Sequence, residues 1–401
     1  MIPKYFDTDQ HITQPPDFWT GRFAKKFADK EPRFINHEKF GPGWTWDGGK
    51  TVRPMGVESV GSEDPRKIGN FKQFEEIDPG CYDPKKRIEV MDIDGAQACL
   101  LFGNGATAGD EEWQIAGCQA YNDAVYDWSA AGDIKRIVPR ALIPYVTLPA
   151  ATAELQRVAK KGFKHFQIGW PSLDPMPTKA DDPFFAAVVD SGMTMTAHGM
   201  SVQRMRPPAA GRTDAPTRPG APAPASAATM EGGMGKMPDL KQKGMGQIGS
   251  GTSATQELVA ALRGNGLGST PALAAWIFSG MMDRYPKLRL SLIETSLGWL
   301  PYLGEQMDAV YLNQRWSGGV QLNRLPSEYL NETYCSFDRE WMGVKYRKEI
   351  GVDRITFGSD YPHIGSFYPH TRFYIELVMQ GCTEQEMEKI LWSNAARAYN
   401  M

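Results

Sequence analysis

Short apolar runs alternate along the chain with longer stretches in which apolar positions recur at helical spacing. The short runs predict strands at residues 5–9, 96–102, 137–145, 163–170, 193–198, 288–295, 333–337 and 355–360. The longer stretches predict helices at residues 149–161, 183–191, 270–285, 300–314, 342–350 and 383–399. Eight strands that alternate with helices predict an α/β protein with a parallel sheet, and their number matches a closed (β/α)8 TIM barrel. An open, doubly wound sheet is the alternative, although no glycine fingerprint for a dinucleotide follows any predicted strand.

Two insertions interrupt this alternation within what we interpret as a single barrel domain spanning residues 1–401. Residues 14–90, after the first strand, are rich in Trp, Pro, Gly and charge, and residues 44–52 predict a hairpin with an Asp47-Gly48 turn. Residues 203–253, after the fifth strand, are rich in Pro, Ala, Gly and Met. Such a composition buries too little apolar surface to offset its ordering entropy, so we expect this insertion to be mobile on its own. It is either an inert linker or a segment that orders at an interface.

The charge balance narrows the range of partners. The 401 residues include 44 basic and 47 acidic side chains, for a formal net charge of −3. This balance excludes a strongly basic nucleic-acid surface and a polybasic membrane patch. No apolar run approaches the length of a membrane span, and the N-terminus has no apolar signal-peptide core. The five cysteines are scattered without a CxxC pair, which favours reduced thiols in a cytoplasmic protein. The partner that we expect is a small-molecule substrate.

Candidate metal ligands occur where three predicted strands end. Asp9 and His11 close the first strand, His198 closes the fifth and Asp360 closes the eighth. Residues 9 and 11 point the same way because side chains alternate along a strand. In a barrel these strand ends converge on the face where barrel enzymes place their active sites. Two imidazoles and two carboxylates suit Zn²⁺, Mn²⁺ or Fe²⁺.

Longer motifs surround these residues and share an order and spacing with a known family. The motifs are residues 7–19 (DTDQHITQPPDFW), 285–302 (YPKLRLSLIETSLGWLPY), 357–363 (FGSDYPH) and 394–397 (NAAR). Over nearly its whole length the chain resembles the amidohydrolase superfamily. Within it, the chain is similar to the group that contains aminocarboxymuconate-semialdehyde decarboxylase and the resorcylate-type decarboxylases. The resemblance implies a metal-dependent (β/α)8 barrel that acts as a decarboxylase or a hydrolase.

The resemblance also implies roles for individual residues. Asp9, His11, His198 and Asp360 match the metal ligands. Zinc is the ion we expect first, but Asp9 stands where many members carry histidine, and this more anionic donor set lets manganese or iron compete. Glu294 stands where the decarboxylases often carry histidine.

Two further residues are candidates for catalysis, together with Asp360. Four roles are open for Glu294: a general acid or base, an anchor for a metal ligand, a ligand for a second metal, and a salt-bridged residue at a strand end. Four roles are also open for His363: a hydrogen bond to a ligand carboxylate, binding of a second ion, proton transfer, and a structural role as a loop histidine bonded to backbone. His165 lies inside the fourth strand, where a structural role is favoured.

The preferred function is a metal-dependent hydrolase or non-oxidative decarboxylase acting on a small organic acid, amide or lactone. It would use a metal-activated water or a metal-chelated substrate, with Asp360 or Glu294 transferring the proton. One alternative is a non-haem iron or manganese oxygenase whose second metal is bound by Glu294 and His363. Another is a non-catalytic subunit of a complex in which a paralogous partner carries the activity. We expect a homo-oligomer, since residues 270–285 and 300–314 carry excess apolar surface, with a hetero-oligomer containing a paralogous barrel as the alternative.

Overall fold

A computed structural model describes residues 4–38, 41–46, 52–55, 73–105, 110–172, 174, 176–199, 270–363 and 365–401. The predicted turn at Asp47-Gly48 and the insertion at residues 203–253 lie outside these ranges. Within them, no helix combines the length and the apolar character that crossing a membrane requires.

The strands in chain order are β1 (Tyr5–His11), β2 (Arg33–His37), β3 (Gly41–Thr45), β4 (Arg53–Pro54), β5 (Ala96–Phe102), β6 (Ile137–Ala141), β7 (His165–Gln167), β8 (Thr194–His198), β9 (Leu290–Ile293), β10 (Tyr334–Phe337) and β11 (Ile355–Phe357). The α-helices are α1 (Pro84–Asp94), α2 (Glu111–Gly132), α3 (Leu148–Lys161), α4 (Asp182–Ser191), α5 (Thr270–Phe278), α6 (Met281–Arg284), α7 (Leu300–Gly318), α8 (Pro326–Leu330), α9 (Met342–Lys345), α10 (Arg347–Ile350), α11 (Thr371–Val378), α12 (Glu384–Glu388) and α13 (Asn394–Tyr399). A π-helical turn at Lys389–Ser393 joins the last two helices.

Eight parallel strands form the central sheet in the order β1-β5-β6-β7-β8-β9-β10-β11, so each strand pairs with its neighbour in this series. The sheet closes on itself where the chain beyond β11 meets β1. There the amide of Asp360 donates to the carbonyl of Asp9 at 2.9 Å, and Gln10 bridges in parallel to Tyr361. The predicted (β/α)8 barrel is therefore confirmed.

Local signals at the helix ends explain why helices follow the strands. Asp83, Asp110 and Thr147 accept hydrogen bonds from first-turn amides of α1, α2 and α3, which otherwise lack partners. Thr383 and Glu386 form the predicted capping box at the start of α12. The predicted helix at residues 270–285 is divided into α5 and α6 by the Ser279-Gly280 turn.

The insertion after β1 contains a small antiparallel sheet in the order β2-β3-β4, with Trp44 opposite Arg53. Phe34 of β2 packs against a buried cluster that includes Phe74 and Tyr361. Since Tyr361 follows β11, this small sheet lies next to the carboxyl ends of the barrel strands, where the functional candidates are found.

The barrel has two apolar layers. Alternate strand residues such as Cys99 and Leu101 pack outward against the helices, whereas Leu100 and Phe102 face the barrel axis. Tyr399 of α13 packs against the inward layer and bonds to β9, which covers the amino ends of the strands. The other end of the barrel is left for polar side chains.

Candidate metal centre

Asp9 and His11 are buried at the end of β1, and a β-bulge brings both to the barrel axis. Between Asp7 and Gln10, three steps along β1 match two steps along β5, so the strand contains one extra residue. A bulge of this kind shifts the alternation of side chains by one position. For this reason Thr8, whose hydroxyl bonds to β11, can face the interior below the Asp9 and His11 side chains.

His198 ends β8, and its side chain reaches the pair on β1. The Nε2 atom of His198 lies 3.1 Å from Oδ1 of Asp9 and 3.2 Å from Nε2 of His11. The same nitrogen of His11 lies 3.2 Å from Oδ1 of Asp9 and 3.3 Å from Oδ1 of Asp360. The four side chains that the sequence predicted as ligands thus direct their donor atoms toward one small volume.

Asp360 reaches this volume from a turn rather than from a strand. The prediction that it closes the last strand is wrong, because β11 ends at Phe357 and Asp360 has a φ of 59°. This left-handed conformation is uncommon for a residue other than glycine, and such residues cluster at functional sites. The turn after β11 therefore directs the carboxylate inward.

The donor set fits a divalent cation. Two imidazole nitrogens that face each other at 3.2 Å, with carboxylate oxygens beside them, give lone pairs that one cation can accept together. Oδ2 of Asp9 is buried and has no hydrogen-bond partner among the described residues, an unmet acceptor that a cation would satisfy. Asp9, His11, His198 and Asp360 would hold the ion, and two nitrogens with carboxylate oxygens suit zinc, manganese or iron.

His363 lies against the same centre. Its ring centroid is 4.1 Å from that of His11, and its buried Nε2 has no hydrogen-bond partner within the described ranges. The donor atoms of His11, Asp360 and His363 form a second group within 4.8 Å, beside the first group of Asp9, His11 and His198. Because both groups use His11, they mark overlapping positions rather than two separate sites. Burial lowers the pKa of His363 to about 2, so its ring is neutral.

Strand alternation does not predict how the side chain of Glu294 comes to point toward the metal centre. Glu294 lies one residue beyond β9 rather than inside the strand predicted at residues 288–295, and Leu290 and Leu292, the alternate residues of that strand, pack in the outer layer. Glu294 has a φ of 56°, which turns its side chain toward the centre, and Oε2 lies 3.8 Å from Nδ1 of His198. Burial, with the charges of nearby carboxylates, raises the pKa of Glu294 to about 8.

The ligand candidates shift one another's pKa values strongly. Burial raises the pKa of Asp9, but the charge of His198 and the hydrogen bonds of both histidines outweigh it and hold the pKa well below its usual range. Burial lowers the pKa of His11, yet hydrogen bonds to Asp360 and Asp9 raise it to about 10. Without a cation His11 therefore carries a proton, and metal binding must displace it.

A buried carboxylate that the sequence reasoning did not assign supports this centre. Asp7 is fully buried and accepts hydrogen bonds from the amide of Asp9 at 3.1 Å and from Nε2 of Gln10 at 2.8 Å. It also accepts from the amide and hydroxyl of Ser359, at 2.8 and 2.5 Å. Asp7 thus fixes the residues beside two ligands, and an aspartate inside the apolar start of β1 was the signal for it.

Two other polar residues face the barrel axis below the centre. His165 is fully buried, with Nδ1 3.1 Å from the hydroxyl of Thr196 and Nε2 3.2 Å from the carbonyl of Val138. These bonds agree with the structural role favoured for it. Arg140, which the sequence reasoning also missed, is a charged residue in an otherwise apolar strand.

A parallel barrel that gathers buried imidazole and carboxylate donors at the carboxyl ends of its strands defines the class of metal-dependent barrel enzymes. A sequence model described as amidohydrolase matches residues 78–401, so the chain belongs to the amidohydrolase family. It is an enzyme of the hydrolase or carboxy-lyase class. The family resemblance seen in the motifs is confirmed.

Solved structures show the same fold at low sequence identity. An amidohydrolase from Mycobacterium avium subsp. paratuberculosis K-10 is 17% identical with a TM-score of 0.69, and 100% of each chain is covered. A dihydroxybenzoic acid decarboxylase from Polaromonas sp. JS666, with bound manganese and the inhibitor 2-nitroresorcinol, is 17% identical with a TM-score of 0.61, covering 100% of this chain and 97% of that one. The 5-carboxyvanillate decarboxylase from Sphingomonas paucimobilis is 17% identical with a TM-score of 0.61, covering 99% of both. No curated protein matches the chain in sequence.

Proposed function

We propose that this protein is a divalent-metal-dependent, non-oxidative decarboxylase of a small aromatic acid. The observation that carries the proposal is the convergence of Asp9, His11, His198 and Asp360 within 3.1–3.3 Å contacts at the barrel mouth. The substrate class is supported by the dihydroxybenzoic acid and 5-carboxyvanillate decarboxylases that share the fold. Hydrolysis of an amide or lactone is the second candidate, because the same donor set can activate water.

The ion would be held by the four residues named above. When bound, it supplies a Lewis acid that withdraws electron density from chelated substrate oxygens. Zinc remains the prediction from the sequence, and the manganese bound in the Polaromonas decarboxylase supports manganese as its competitor. Asp7 and Ser359 hold the ligands on β1 and beyond β11 in place through buried hydrogen bonds, so the donor set is arranged before the substrate arrives.

The chain's own proton-transfer groups complete the reaction. Loss of carbon dioxide leaves an electron pair on the ring carbon, which must receive a proton. We assign this step to Glu294, which reaches the centre but belongs to neither compact group of donor atoms. Asp360 is the alternative. His363, whose ring is neutral and whose Nε2 has no hydrogen-bond partner in the described chain, would relay the proton.

The oxygenase alternative requires a second, separate ion. The two donor groups share His11, which offers one Nε2 atom toward the centre, and this overlap favours a single ion. The alternative of a non-catalytic subunit stays a hypothesis, as do the homo-oligomer and the cytoplasmic location. Turnover by the purified chain alone would exclude the non-catalytic role.

The test combines metal analysis with a reaction panel. The protein is purified without added metal, its ions are counted by elemental analysis, and zinc or manganese is then supplied. Release of carbon dioxide is measured from 2,6-dihydroxybenzoate and 5-carboxyvanillate, and proton release is measured from amides and lactones. We expect about one ion per chain and metal-dependent release of carbon dioxide. Metal-dependent hydrolysis without it would establish the second candidate, and two ions with oxygen consumption would establish the oxygenase.

A further inference from the structure

Arg140 is a cation inside the barrel to which the metal centre gives no role. It is the fourth residue of β6, two positions after Val138, which packs in the inward apolar layer. Side chains two residues apart on a strand share a face, so Arg140 also points toward the axis. Only 7% of the residue is exposed, which is unusual for an arginine.

The guanidinium of Arg140 is only partly satisfied. Nη2 donates to the carbonyl of Gly103 at 3.0 Å, and the group lies 4.8 Å from the ring centre of Phe102. Among the described residues, the buried Nε has no hydrogen-bond partner and no carboxylate forms an ion pair with this arginine. Burying a charge carries a large desolvation cost unless an opposite charge and hydrogen bonds compensate for it. Arg140 is thus a buried cation that forms no ion pair within the described chain, although the charge of Asp9 acts on it from a longer distance.

Arg140 lies close to the metal ligands. The ring of Phe102 lies 4.6 Å from that of His198 and 5.8 Å from that of His11, so a single aromatic ring separates the guanidinium from two ligands. The ligands come from β1, β8 and the turn beyond β11, whereas Arg140 comes from β6, on the intervening side of the barrel. Arg140 therefore approaches the centre from a strand that contributes none of its ligands.

A second cation near the mouth is already neutralised. Nη2 of Arg339 lies 2.7 Å from Oδ2 of Asp338 and 3.8 Å from Oδ2 of Asp360. Arg339 is therefore paired with carboxylates of the chain, whereas Arg140 forms no ion pair with a described residue. An arginine can present two parallel N–H groups to one carboxylate, which matches the geometry of an organic acid.

We propose that Arg140 binds a carboxylate of the substrate and makes the site selective for organic acids over their neutral analogues. This inference rests on the proposed function for the identity of the reaction, but it concerns binding and does not require turnover. The substrate's carboxylate supplies the charge and the acceptors that Nε lacks, while its other oxygens remain available to the metal centre.

The test uses benzoate and benzamide, two ligands of similar shape that differ by one charge. Both are titrated calorimetrically into the manganese-loaded wild type and the variants Arg140→Gln, Arg140→Lys and Arg136→Gln. Arg136 is the matched control, since it lies before β6 and donates to carbonyls at the opposite end of the barrel. We expect Arg140→Gln to lose benzoate affinity by at least about tenfold without a change for benzamide. Arg140→Lys should lie between it and the wild type, and Arg136→Gln should match the wild type.

Two results would overturn the proposal. One is a wild type that does not prefer benzoate to benzamide, and the other is an Arg140→Gln protein that keeps this preference in full. Circular dichroism checks that each variant is folded. Should the glutamine variant unfold, the lysine variant decides, because an unchanged preference there shows that the arginine geometry is not used. A protein that binds benzoate through Arg140 but turns over no acid would contradict the proposed reaction and leave this inference standing.

Discussion

Replacing Glu294 by glutamine separates the possible roles of this residue. The change keeps the size of the side chain and removes its ionisable carboxyl group, and with it the transferable proton. Oε2 of Glu294 lies 3.8 Å from Nδ1 of His198, and Nε2 of that ring faces Asp9 and His11. Glu294 can therefore act on the substrate directly, or through the orientation of His198.

The two roles predict effects of different size on different quantities. A group that transfers a proton contributes about 10²–10⁴-fold to turnover, equivalent to about 3–5.5 kcal/mol of activation free energy. A group that orients a metal-bound histidine contributes about 10–100-fold to metal affinity. The 3.8 Å separation is longer than a hydrogen bond, so we expect the first effect to dominate.

The assay measures turnover as a function of manganese concentration, together with bound metal by elemental analysis. We expect Glu294→Gln to bind about as much metal as the wild type and to lose at least about 100-fold in kcat even at saturating manganese. Glu305→Gln, an exposed change on α7, is the matched control and should behave as the wild type.

Other outcomes contradict this assignment in distinguishable ways. Activity that returns to the wild-type level at high manganese would assign Glu294 to the orientation of His198. A halved metal content at saturation would show that Glu294 binds a second ion, as the oxygenase alternative requires. Wild-type metal content and turnover together would refute any role for Glu294 in the reaction.

Four further predictions concern the ligands, the bound metal, the residue that supports the ligands, and the assembly. His198→Ala removes one of four donors and should leave a folded protein with little bound metal or activity; full stoichiometric metal would show that the site is misassigned. A chelator should abolish wild-type turnover and manganese or zinc should restore it, whereas activity that survives in protein shown to be metal-free would contradict a metal-dependent reaction. Asp7→Ala removes the acceptor for Asp9, Gln10 and Ser359; we expect a ~10–100-fold loss of metal affinity and a lower unfolding temperature, and an unchanged manganese titration would rule out its support of the ligands. Sedimentation at micromolar concentration should show a dimer or larger assembly, and a clean monomer would refute the predicted homo-oligomer.

The sequence alone predicts the barrel because the signals for its strands and helices are local and recur along the chain. Apolar runs with strand composition alternate with helical periodicity, and caps such as Thr383 with Glu386 mark where a helix begins. The candidate ligands were predictable for the same reason, since the ends of parallel strands meet at one face whatever the details of packing. This rule, together with the motifs around them, was sufficient to predict Asp9, His11 and His198 as ligands.

The tertiary structure alone decides how those side chains are aimed. The bulge in β1 depends on pairing with β5, and the positive φ values of Glu294 and Asp360 depend on turns that surrounding contacts hold against their local cost. Strand alternation, which assumes regular extended backbone, fails at these positions. The buried Nε of Arg140, which has no hydrogen-bond partner among the described residues, is likewise invisible in the sequence, because contacts between residues far apart in the chain decide which buried groups are paired.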